Sequence, residues 1–258
     1  PDVCRRPWWA GHVGFEVVGP DALSAAGVDT TAYASAHQVT CPVIESDEAL
    51  RVIAQQLVSR GCSFENGVTV KSLQSLDKDE FAQRNGGHVI FNCTGLGARE
   101  LVGDDSMFAV RGQIVKVTAP PDRTGVWIAA HRGRDAFAHV FPRKREGTLL
   151  LGGVAQEGKE SLLPSPGDIE GIRARTARLC PFVSEQREVE VVTGLRPCRR
   201  GGPRVEAEIL GGAHVVHNYG HGGSGWTFAW GAAETAVALA ESAAPLPRGQ
   251  PSLRQSKL

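Results

Sequence analysis

The chain has 258 residues, enough for one large domain or two of modest size. Its 28 basic and 28 acidic residues balance, so no overall field favours nucleic acid or an anionic membrane as a partner. No run approaches the roughly 18 apolar residues of a membrane span, and no basic-then-apolar leader is present, so we expect an intracellular protein. The six cysteines are scattered, without a C-x-x-C pair or a nearby histidine, which indicates reduced thiols and neither a disulfide scaffold nor a zinc site.

Hydrophobic spacing predicts the secondary structure in chain order. Apolar residues at i, i+3, i+4, i+7 and i+8 from Leu50 to Val58 predict a helix, with Ser46 or Asp47 as its N-cap and Gly61 closing it. Residues 1–40 show little patterning, and short strands are predicted at residues 62–64 and 68–73. Further strands are predicted at residues 88–93, 111–118, 127–130, 138–141, 148–151, 189–192 and 214–218, and further helices at residues 168–179 and 223–242.

The order of these elements predicts the fold class. Strands and helices mix without a regular repeat, and a strand-rich middle lies between two segments that carry both. This order predicts a mixed α/β fold of two interleaved domains, with the chain crossing between them more than once. The chain begins at Pro1 and its single methionine is Met107, so we expect it to be a processed or truncated product.

A glycine-rich turn precedes the last predicted helix. Gly220, Gly222 and Gly225 satisfy G-x-G-x-x-G, but a Rossmann site also needs a second strand ending in an acidic residue. Glu241 lies in the same predicted helix, which argues against that interpretation. A helix N-terminus with close backbone approach still suits a cofactor edge that becomes anionic, and Thr227 could add a hydroxyl donor. The alternative is a tight turn that needs glycine for packing alone.

The chain ends in a targeting tripeptide. Ser256, Lys257 and Leu258 form S-K-L, which the peroxisomal import receptor reads at a C-terminus. The proline-rich tail before it cannot be helical, so we expect the tripeptide to be exposed. The sequence therefore predicts the peroxisome matrix as location and the import receptor as a partner. That compartment favours an oxidase that makes hydrogen peroxide.

Five ordered motifs resemble those of the D-amino-acid oxidase family. They are N-C-T-G-L-G-A at residues 92–98, R-G-Q at 111–113, L-G-G at 151–153, G-L-R-P at 194–197 continued by R-V-E at 204–206, and V-H-N-Y-G-H-G-G-S-G at 216–225 followed by W-G-A-A at 230–233. The G-L-R-P stretch is particularly similar to the fungal members. The resemblance covers about residues 41–258 and is weak before them.

The resemblance implies an FAD-binding domain of the glutathione-reductase-like type, interleaved with an antiparallel-sheet substrate domain. It assigns residues 1–40 to the edge of the substrate domain, 41–104 and 201–245 to the FAD domain, 105–200 to the substrate-binding domain and 246–258 to a flexible tail. Residues 1–40 contain no strand–glycine loop–helix unit for the FAD pyrophosphate. We therefore expect an incomplete FAD domain and poor FAD binding.

The resemblance also implies an activity: FAD-dependent oxidative deamination of D-amino acids to 2-oxo acids, ammonia and hydrogen peroxide, by hydride transfer to the flavin. It implies no catalytic acid or base and no metal. Arg196 would grip the substrate carboxylate with its planar fork, and the Gly223 carbonyl would accept from the substrate amine. The implied cofactor contacts are Val70, Thr94, Gly95, Arg111, Gly112, Gln113, Gly222, Gly223, Ser224, Gly225, Trp226 and Thr227.

Two positions depart from the family's pattern in the substrate pocket. His139 stands where the family usually has a tyrosine, and it can still donate to a carboxylate. Ala155 stands where the fungal members have a second tyrosine, and it offers nothing polar. We expect a higher KM, a different substrate or lost activity. A D-aspartate substrate would need another cation, for which Arg132 and Arg134 are candidates, although both also fit solvated surface charges.

Several functions stay open at this point. Neutral D-amino acids are the favoured substrates, with a D-aspartate oxidase and a glycine- or sarcosine-type amine oxidase as alternatives. A non-catalytic fragment without the dinucleotide-binding N-terminus is a further alternative. A homodimer is compatible with the sequence, which does not define the oligomeric state.

Overall fold

A computed structural model describes residues 8–12, 14–28, 36–40, 42–73, 89–121, 125, 127–130, 137–210 and 213–243 of the chain. The chain divides into two compact units, each made of separate stretches of sequence. Unit 1 comprises Pro1–Asn66, Arg111–Gln156 and Ser161–Gly194, and unit 2 comprises Gly67–Val110, Glu157–Glu160 and Leu195–Leu258. The predicted mixed α/β fold is confirmed. The assignment of the domains to FAD and to substrate stays a prediction.

The described elements follow the predicted order, with additions. The strands are β1 (Glu16–Val18), β2 (Ala36–Gln38), β3 (Val89–Asn92), β4 (Met107–Thr118), β5 (Trp127–Ala130), β6 (Phe137–Arg143), β7 (Thr148–Gly152), β8 (Gln156–Glu157), β9 (Glu188–Arg199), β10 (Arg204–Leu210) and β11 (Ala213–Tyr219). The α-helices are α1 (Pro20–Ala25), α2 (Ser46–Ser59), α3 (Ala98–Leu101), α4 (Pro166–Leu179) and α5 (Gly225–Ala243). Short 3₁₀ turns occupy Trp8–His12, Gly95–Gly97, Pro181–Glu185 and Gly222–Ser224.

Unit 1 is built on an antiparallel sheet. Among the described residues its strands have the order β5-β6-β7-β4-β8, and β9 also pairs with β4. Along β4 every second residue is buried, as the alternation over residues 111–118 predicts. Helix α4 packs against β6 and β7, and its Ile172 joins the core formed by Val115, Val140, Leu149 and Leu151. This core is the largest apolar cluster that the described residues form.

Helix α4 begins two residues earlier than its apolar spacing predicts. The side chain of Ser165 accepts a hydrogen bond from the Asp168 amide, and Pro166 occupies the first helical position. Serine at the N-cap followed by proline is a favourable helix start, because the proline lacks an N–H that would otherwise need a partner. The local cap therefore sets the boundary.

Helix α2 is confirmed, but its predicted N-cap is wrong. Glu45 occupies the N-cap position and makes no side-chain cap bond, while Asp47 and Glu48 lie in the first turn. There their negative charges complement the helix dipole. At the other end Gly61 adopts φ +93°, as the predicted closing residue. None of the helix residues Ser46–Ser59, all of them described, is buried.

The strands predicted at residues 62–64 and 68–73 are wrong. Residues 62–72 follow a non-helical path without ladder pairing to any described strand. Phe64 is 56 % exposed and Val68 is 63 % exposed. A short apolar run forms a strand only where a partner strand is available to it, and no described strand pairs with this segment. Val70 and Leu73 instead join a small apolar cluster with Val215.

Unit 2 contains a three-stranded sheet in the order β10-β11-β3. β10 and β11 pair antiparallel, and β11 and β3 pair parallel with His217 opposite Asn92. Helix α5 covers one face of this sheet, where Val216 packs with Ala236 and Ala240. The opposite face carries Val215, His217 and Tyr219, all of them fully or almost fully buried.

The described residues contain neither a membrane-spanning helix nor a metal-binding cluster. No helix among them is long and apolar enough to cross a bilayer. No cluster of three or more His, Cys, Asp or Glu side chains within the same ranges is arranged to hold a metal ion. Cys62, Cys93 and Cys198 are free thiols, Cys180 is buried, and Cys4 and Cys41 lie outside the described residues.

Candidate functional site

The glycine-rich turn joins β11 to α5 in unit 2. Gly220 and Gly222 have φ of +86° and +57°, a conformation that favours glycine. A Cβ atom at position 220 would lie 2.8 Å from the Arg199 Cβ, and one at position 222 would lie 2.9 Å from the Cys198 Sγ. Both glycines are therefore required by packing and backbone conformation. At Gly225, by contrast, a Cβ atom would meet no described atom within 4 Å.

A test of this packing compares two glycines that share one backbone conformation. At Gly201, with φ +85°, a Cβ atom would meet no described atom within 4 Å, whereas Gly220 has φ +86° and the close contact to Arg199. We expect Gly220→Ala to lower the free energy of unfolding by about 2–4 kcal/mol and Gly201→Ala by about 1–2 kcal/mol. Urea unfolding followed by circular dichroism measures both. Equal losses would show that backbone strain, and not the contact with Arg199, makes Gly220 necessary.

Arg196 lies against the same turn. The two predicted substrate ligands of unit 2 meet there, since a Cβ atom at Gly223 would lie 3.3 Å from the Arg196 Cδ and 3.5 Å from its Nε. Arg196 is half-buried on β9, and Gly223 is exposed in the 3₁₀ turn that leads into α5. The aliphatic part of the Arg196 side chain therefore lies beside the turn that leads into α5, and its role towards a substrate stays a prediction.

The turn after β3 reaches the same short segment. Gly95 has φ +57°, and a Cβ atom there would lie 3.5 Å from the Pro197 Cβ. Thr94, immediately before it, is exposed. The G-L-R-P motif is thus approached by both predicted cofactor turns, through Arg196 on one side and Pro197 on the other, and the next residue, Cys198, lies beside Gly222. Three motifs that are far apart in sequence converge here within unit 2.

The first turn of α5 presents the other predicted cofactor contacts to solvent. Ser224, Gly225, Trp226 and Thr227 are all exposed, with Trp226 at 38 %. A cavity of about 270 Å³ opens beside this turn, lined by Pro203, Val205, His221, Thr227, Phe228, Gly231, Ala232 and Thr235. Val70, the remaining predicted contact in unit 2, packs against the cluster of Leu73 and Val215.

Arg111, Gly112 and Gln113 lie in unit 1, where the Arg111 side chain is saturated by protein partners. Its Nε donates to the Ser161 carbonyl oxygen at 2.8 Å. All four remaining N–H groups are also used, by Gln156, Asp168, Gln113 and the Leu163 carbonyl. Gln113 in turn bonds both the amide and the carbonyl of Ser165. Donation from Arg111 to a cofactor would require one of these bonds to break, and its cofactor role stays a prediction.

His139 also lies in unit 1, on β6, opposite Gly152 of β7. Its imidazole occupies the space that a Cβ atom at position 152 would need, and it approaches Gly153 as well. The rings of Phe137 and Phe141 flank it at 5.3 and 5.1 Å between centroids. The paired glycines therefore make room for the histidine. Of the other residues considered for the pocket, Ala155 is exposed, and Arg132 and Arg134 lie outside the described residues.

Sequence reasoning missed a buried carboxylate in unit 2. Asp104 is only 8 % exposed, and its Oδ2 accepts hydrogen bonds from the Arg199 Nε and the Tyr219 hydroxyl, both at 2.8 Å. Burial alone would raise the pKa of Asp104, but the bonds from Arg199, Tyr219 and the Ser106 amide outweigh it and lower that pKa to about 2. The only local signal was an aspartate two residues before a serine.

The hydrogen bonds of the Asp104 carboxylate should make the stability of the fold sensitive to acid. Its folded-state pKa of about 2 lies below the ordinary value of 3.8, so its stabilisation is complete above about pH 4 and is lost as the pH falls towards 2. We expect Asp104→Asn to lower the free energy of unfolding by about 1–3 kcal/mol at neutral pH and to differ little from the native chain near pH 2. Urea unfolding at several pH values measures this. A constant difference between the two proteins across that range would contradict it.

One known family matches almost the whole chain. Residues 5–239 match the family described as FAD dependent oxidoreductase, and the chain therefore belongs to that family. FAD is the cofactor of the family. The resemblance that the sequence motifs indicated is therefore confirmed for the family and its cofactor.

Several relatives are named D-amino-acid oxidase. The protein of Rubrobacter xylanophilus is 34 % identical over 242 residues, which are 92 % of this chain and 68 % of the relative. That of Streptomyces coelicolor is 36 % identical over 199 residues, 77 % of this chain and 58 % of the relative. That of Dictyostelium discoideum is 40 % identical over 161 residues, 61 % of this chain and 44 % of the relative. The chain thus spans between 44 % and 68 % of the length of these relatives.

Solved structures share the fold. L-proline dehydrogenase from P. horikoshii matches with a TM-score of 0.66 at 12 % identity, over 90 % of this chain and 66 % of that protein. Glycine oxidase from Geobacillus kaustophilus matches with a TM-score of 0.52 at 24 % identity, over 61 % of this chain and 42 % of that protein. At these identities the likeness concerns the fold alone.

Proposed function

We propose that the protein to which this chain belongs oxidises D-amino acids with FAD as cofactor. The observation that carries the proposal is the contact between Arg196 and Gly223 at the beginning of α5. A guanidinium of the kind that suits a substrate carboxylate thus lies beside a backbone turn, in a chain of the FAD dependent oxidoreductase family. The relatives named D-amino-acid oxidase support the choice of substrate class.

The residues of the turn fit a flavin. Gly223, Ser224 and Gly225 expose backbone at the N-terminal end of a 19-residue helix, where N–H groups and the helix dipole favour negative charge. No Cβ atom narrows the approach at Gly225. Thr227 adds an exposed hydroxyl within the first turn of the helix. When bound, FAD supplies the hydride acceptor and passes the electrons to oxygen, which yields hydrogen peroxide.

The chain's own residues orient the substrate. The planar guanidinium of Arg196 suits two parallel hydrogen bonds to the substrate carboxylate. The carbonyl oxygen of Gly223 accepts from the substrate amine. These two contacts restrict the position of the α-carbon between them, and such positioning accounts for much of the rate of an enzyme that needs no protein acid or base. The product would be an imino acid, which water hydrolyses to a 2-oxo acid and ammonia.

Neutral D-amino acids are the proposed substrates. Ala155 offers nothing polar where the fungal members have a second tyrosine, which argues against a second strong carboxylate contact from that position. D-aspartate would depend on a cation such as Arg132 or Arg134. Glycine and sarcosine lack the side chain whose placement distinguishes D from L substrates. Comparing them with D-alanine therefore tests whether the site binds that side chain.

The test is the visible spectrum of the purified chain after incubation with excess FAD and removal of unbound cofactor. We expect a weak flavin band, in keeping with the poor FAD binding expected from the sequence. This band should bleach without oxygen on addition of D-alanine, less with D-aspartate or glycine, and not with L-alanine. A retained flavin that L-alanine bleaches equally would overturn the D-amino-acid assignment. A protein that retains no flavin would overturn the proposal that this chain forms a flavin site.

The S-K-L tail supports a location in the peroxisome matrix, which we also propose. Ser256, Lys257 and Leu258 lie outside the described residues. A fluorescent protein carrying residues 244–258 at its C-terminus should enter peroxisomes, and the same fusion without Leu258 should stay outside. Cytosolic fluorescence from both fusions would contradict the proposal.

A further inference from the structure

A buried pair of polar side chains supports the Thr94–Gly95 turn. Asn92 on β3 and His217 on β11 lie opposite each other in the parallel ladder, and they are 1 % and 0 % exposed. The Asn92 Nδ2 lies 3.1 Å from the His217 Nδ1. At its other end the Asn92 Oδ1 accepts from the Thr94 hydroxyl at 2.7 Å and from the Thr94 amide at 3.3 Å. One side chain therefore connects the histidine to the turn.

The hydrogen-bond network assigns the proton on His217. The amide oxygen of Asn92 serves both donors of Thr94, so its NH₂ group faces the histidine and can only donate. His217 Nδ1 must therefore accept and carry no proton. The proton resides on Nε2, which donates to the Glu208 Oε1 at 2.7 Å. The direction of every bond from Glu208 to Thr94 follows from this one tautomer.

The surroundings keep His217 neutral. Burial lowers the pKa of His217 below its ordinary value, and Arg204 acts in the same direction, whereas Glu208 and Glu206 oppose them. All three charged groups lie on β10. From β11 itself, the ring of Tyr219 meets the imidazole edge-on at 5.7 Å between centroids. At neutral pH the accepting form of Nδ1 is the stable one.

We propose that His217 is a positioning residue for the cofactor site: its Nε2–H form holds the Asn92 amide in the one orientation that fixes the Thr94–Gly95 turn, and its protonation releases that turn. A proton on Nδ1 sets an N–H group against the Asn92 NH₂ group, so donor faces donor. The conflict is relieved when the amide turns over and offers its oxygen to the histidine. The NH₂ group then faces the Thr94 amide, which loses its acceptor.

This inference rests on the proposed function, in which Thr94 and Gly95 contact FAD. It predicts that FAD affinity falls about 10-fold from pH 8 to a pH low enough to protonate the His217 ring, which is the loss expected from about one hydrogen bond. Neither Asn92 nor His217 needs to touch the cofactor. Their effect passes through the conformation of Thr94.

Two conservative variants separate positioning from mere packing. His217→Asn keeps an acceptor at the place of Nδ1 but cannot be protonated, whereas His217→Gln keeps a group facing Glu208 and loses the acceptor for Asn92. We expect His217→Asn to bind FAD as the native chain does at about pH 8 and to lose the pH dependence, and His217→Gln to bind about 10-fold more weakly at both pH values. Asn92→Asp should also resist acid, because a carboxylate accepts from Thr94 and from protonated histidine at once.

FAD titration by fluorescence is the first readout, and ¹⁵N nuclear magnetic resonance of the His217 ring and the Thr94 amide is the second. The inference expects a protonated Nε2 with a bare Nδ1 at neutral pH, and a shift of the Thr94 amide signal that follows the titration of the ring. A proton on Nδ1 at neutral pH would overturn it, as would a Thr94 signal that ignores that titration. The ring and amide signals decide the inference even if FAD fails to bind, an outcome that would count against the proposed function alone.

Discussion

Replacing Arg111 by methionine should lower the free energy of unfolding by about 3–5 kcal/mol, because it leaves the largely buried Asp168 carboxylate without its cationic partner. Arg111 is only 2 % exposed and pairs with Asp168 at 2.8 Å, where the carboxylate is itself 16 % exposed. Methionine restores much of the volume but none of the five N–H donors. The carbonyl oxygens of Ser161 and Leu163 would also lose their donor. Urea unfolding followed by circular dichroism gives the difference.

The matched control is Arg99→Met. Arg99 pairs with Glu160 at 3.2 Å, but the two side chains are 39 % and 55 % exposed. Water can replace the lost partner there, so we expect a change below about 1 kcal/mol. Arg111→Lys should fall between the two, since it keeps the charge but supplies three donors in place of five. A similar decrease in the free energy of unfolding for the two methionine variants would contradict the conclusion that the Arg111 side chain is a major stabilising contact of unit 1.

Arg196→Met should lower kcat/KM for D-alanine about 100-fold, with most of the change in KM. The proposed substrate carboxylate would lose a charged, bidentate partner that no neighbouring backbone group replaces in kind. Arg196→Lys should recover part of the loss, because it restores the charge without the fork. Oxygen consumption by the FAD-loaded protein at varied D-alanine concentration measures both parameters, and the flavin content of each variant is determined in parallel.

Arg200→Met serves as the control for Arg196. Arg200 is exposed close by in the chain, with its guanidinium 5.4 Å from the centre of the Phe108 ring. We expect kcat/KM to stay within about twofold of the native value, since an exposed cation over an aromatic ring is worth only about 0.5–1 kcal/mol of stability. Equal losses for Arg196→Met and Arg200→Met, or an unchanged KM for Arg196→Met, would contradict the carboxylate-binding role.

Much of the fold could be predicted from local patterns. The alternation over residues 111–118 predicted β4, and the apolar spacing after Ser46 predicted α2 to within its cap. β10 was missed because Arg204, Glu206 and Glu208 alternate along it and resemble a surface loop. They lie on a face where ion pairs with one another and with His217 satisfy their charges. A charged strand of this kind carries no apolar alternation to find.

The candidate site was predictable only through the resemblance. Nothing in the spacing of Arg196 and Gly223 says that they touch, because the fold of β9 and the turn before α5 creates that contact. Asp104 and Asn92 were missed for the same reason, since their partners lie 115 and 125 residues further along the chain. The spacing of apolar residues along the sequence indicates only which residues share a face of one helix or strand. Contacts across such distances depend on the whole topology.

The parallel pairing of β3 with β11 determines how long β3 stays unpaired while the chain is being synthesised on the ribosome. The ladder joins Ile90 to Val215, so β3 leaves the ribosome long before its partner exists. Most of unit 1, including Arg111–Gln156 and Ser161–Gly194, is translated in between. Parallel pairing over such a separation closes a large loop and is intrinsically slow. The nascent chain therefore exposes the apolar β3 until β11 is made, and this edge is where we expect chaperones to bind and premature termination to cause aggregation.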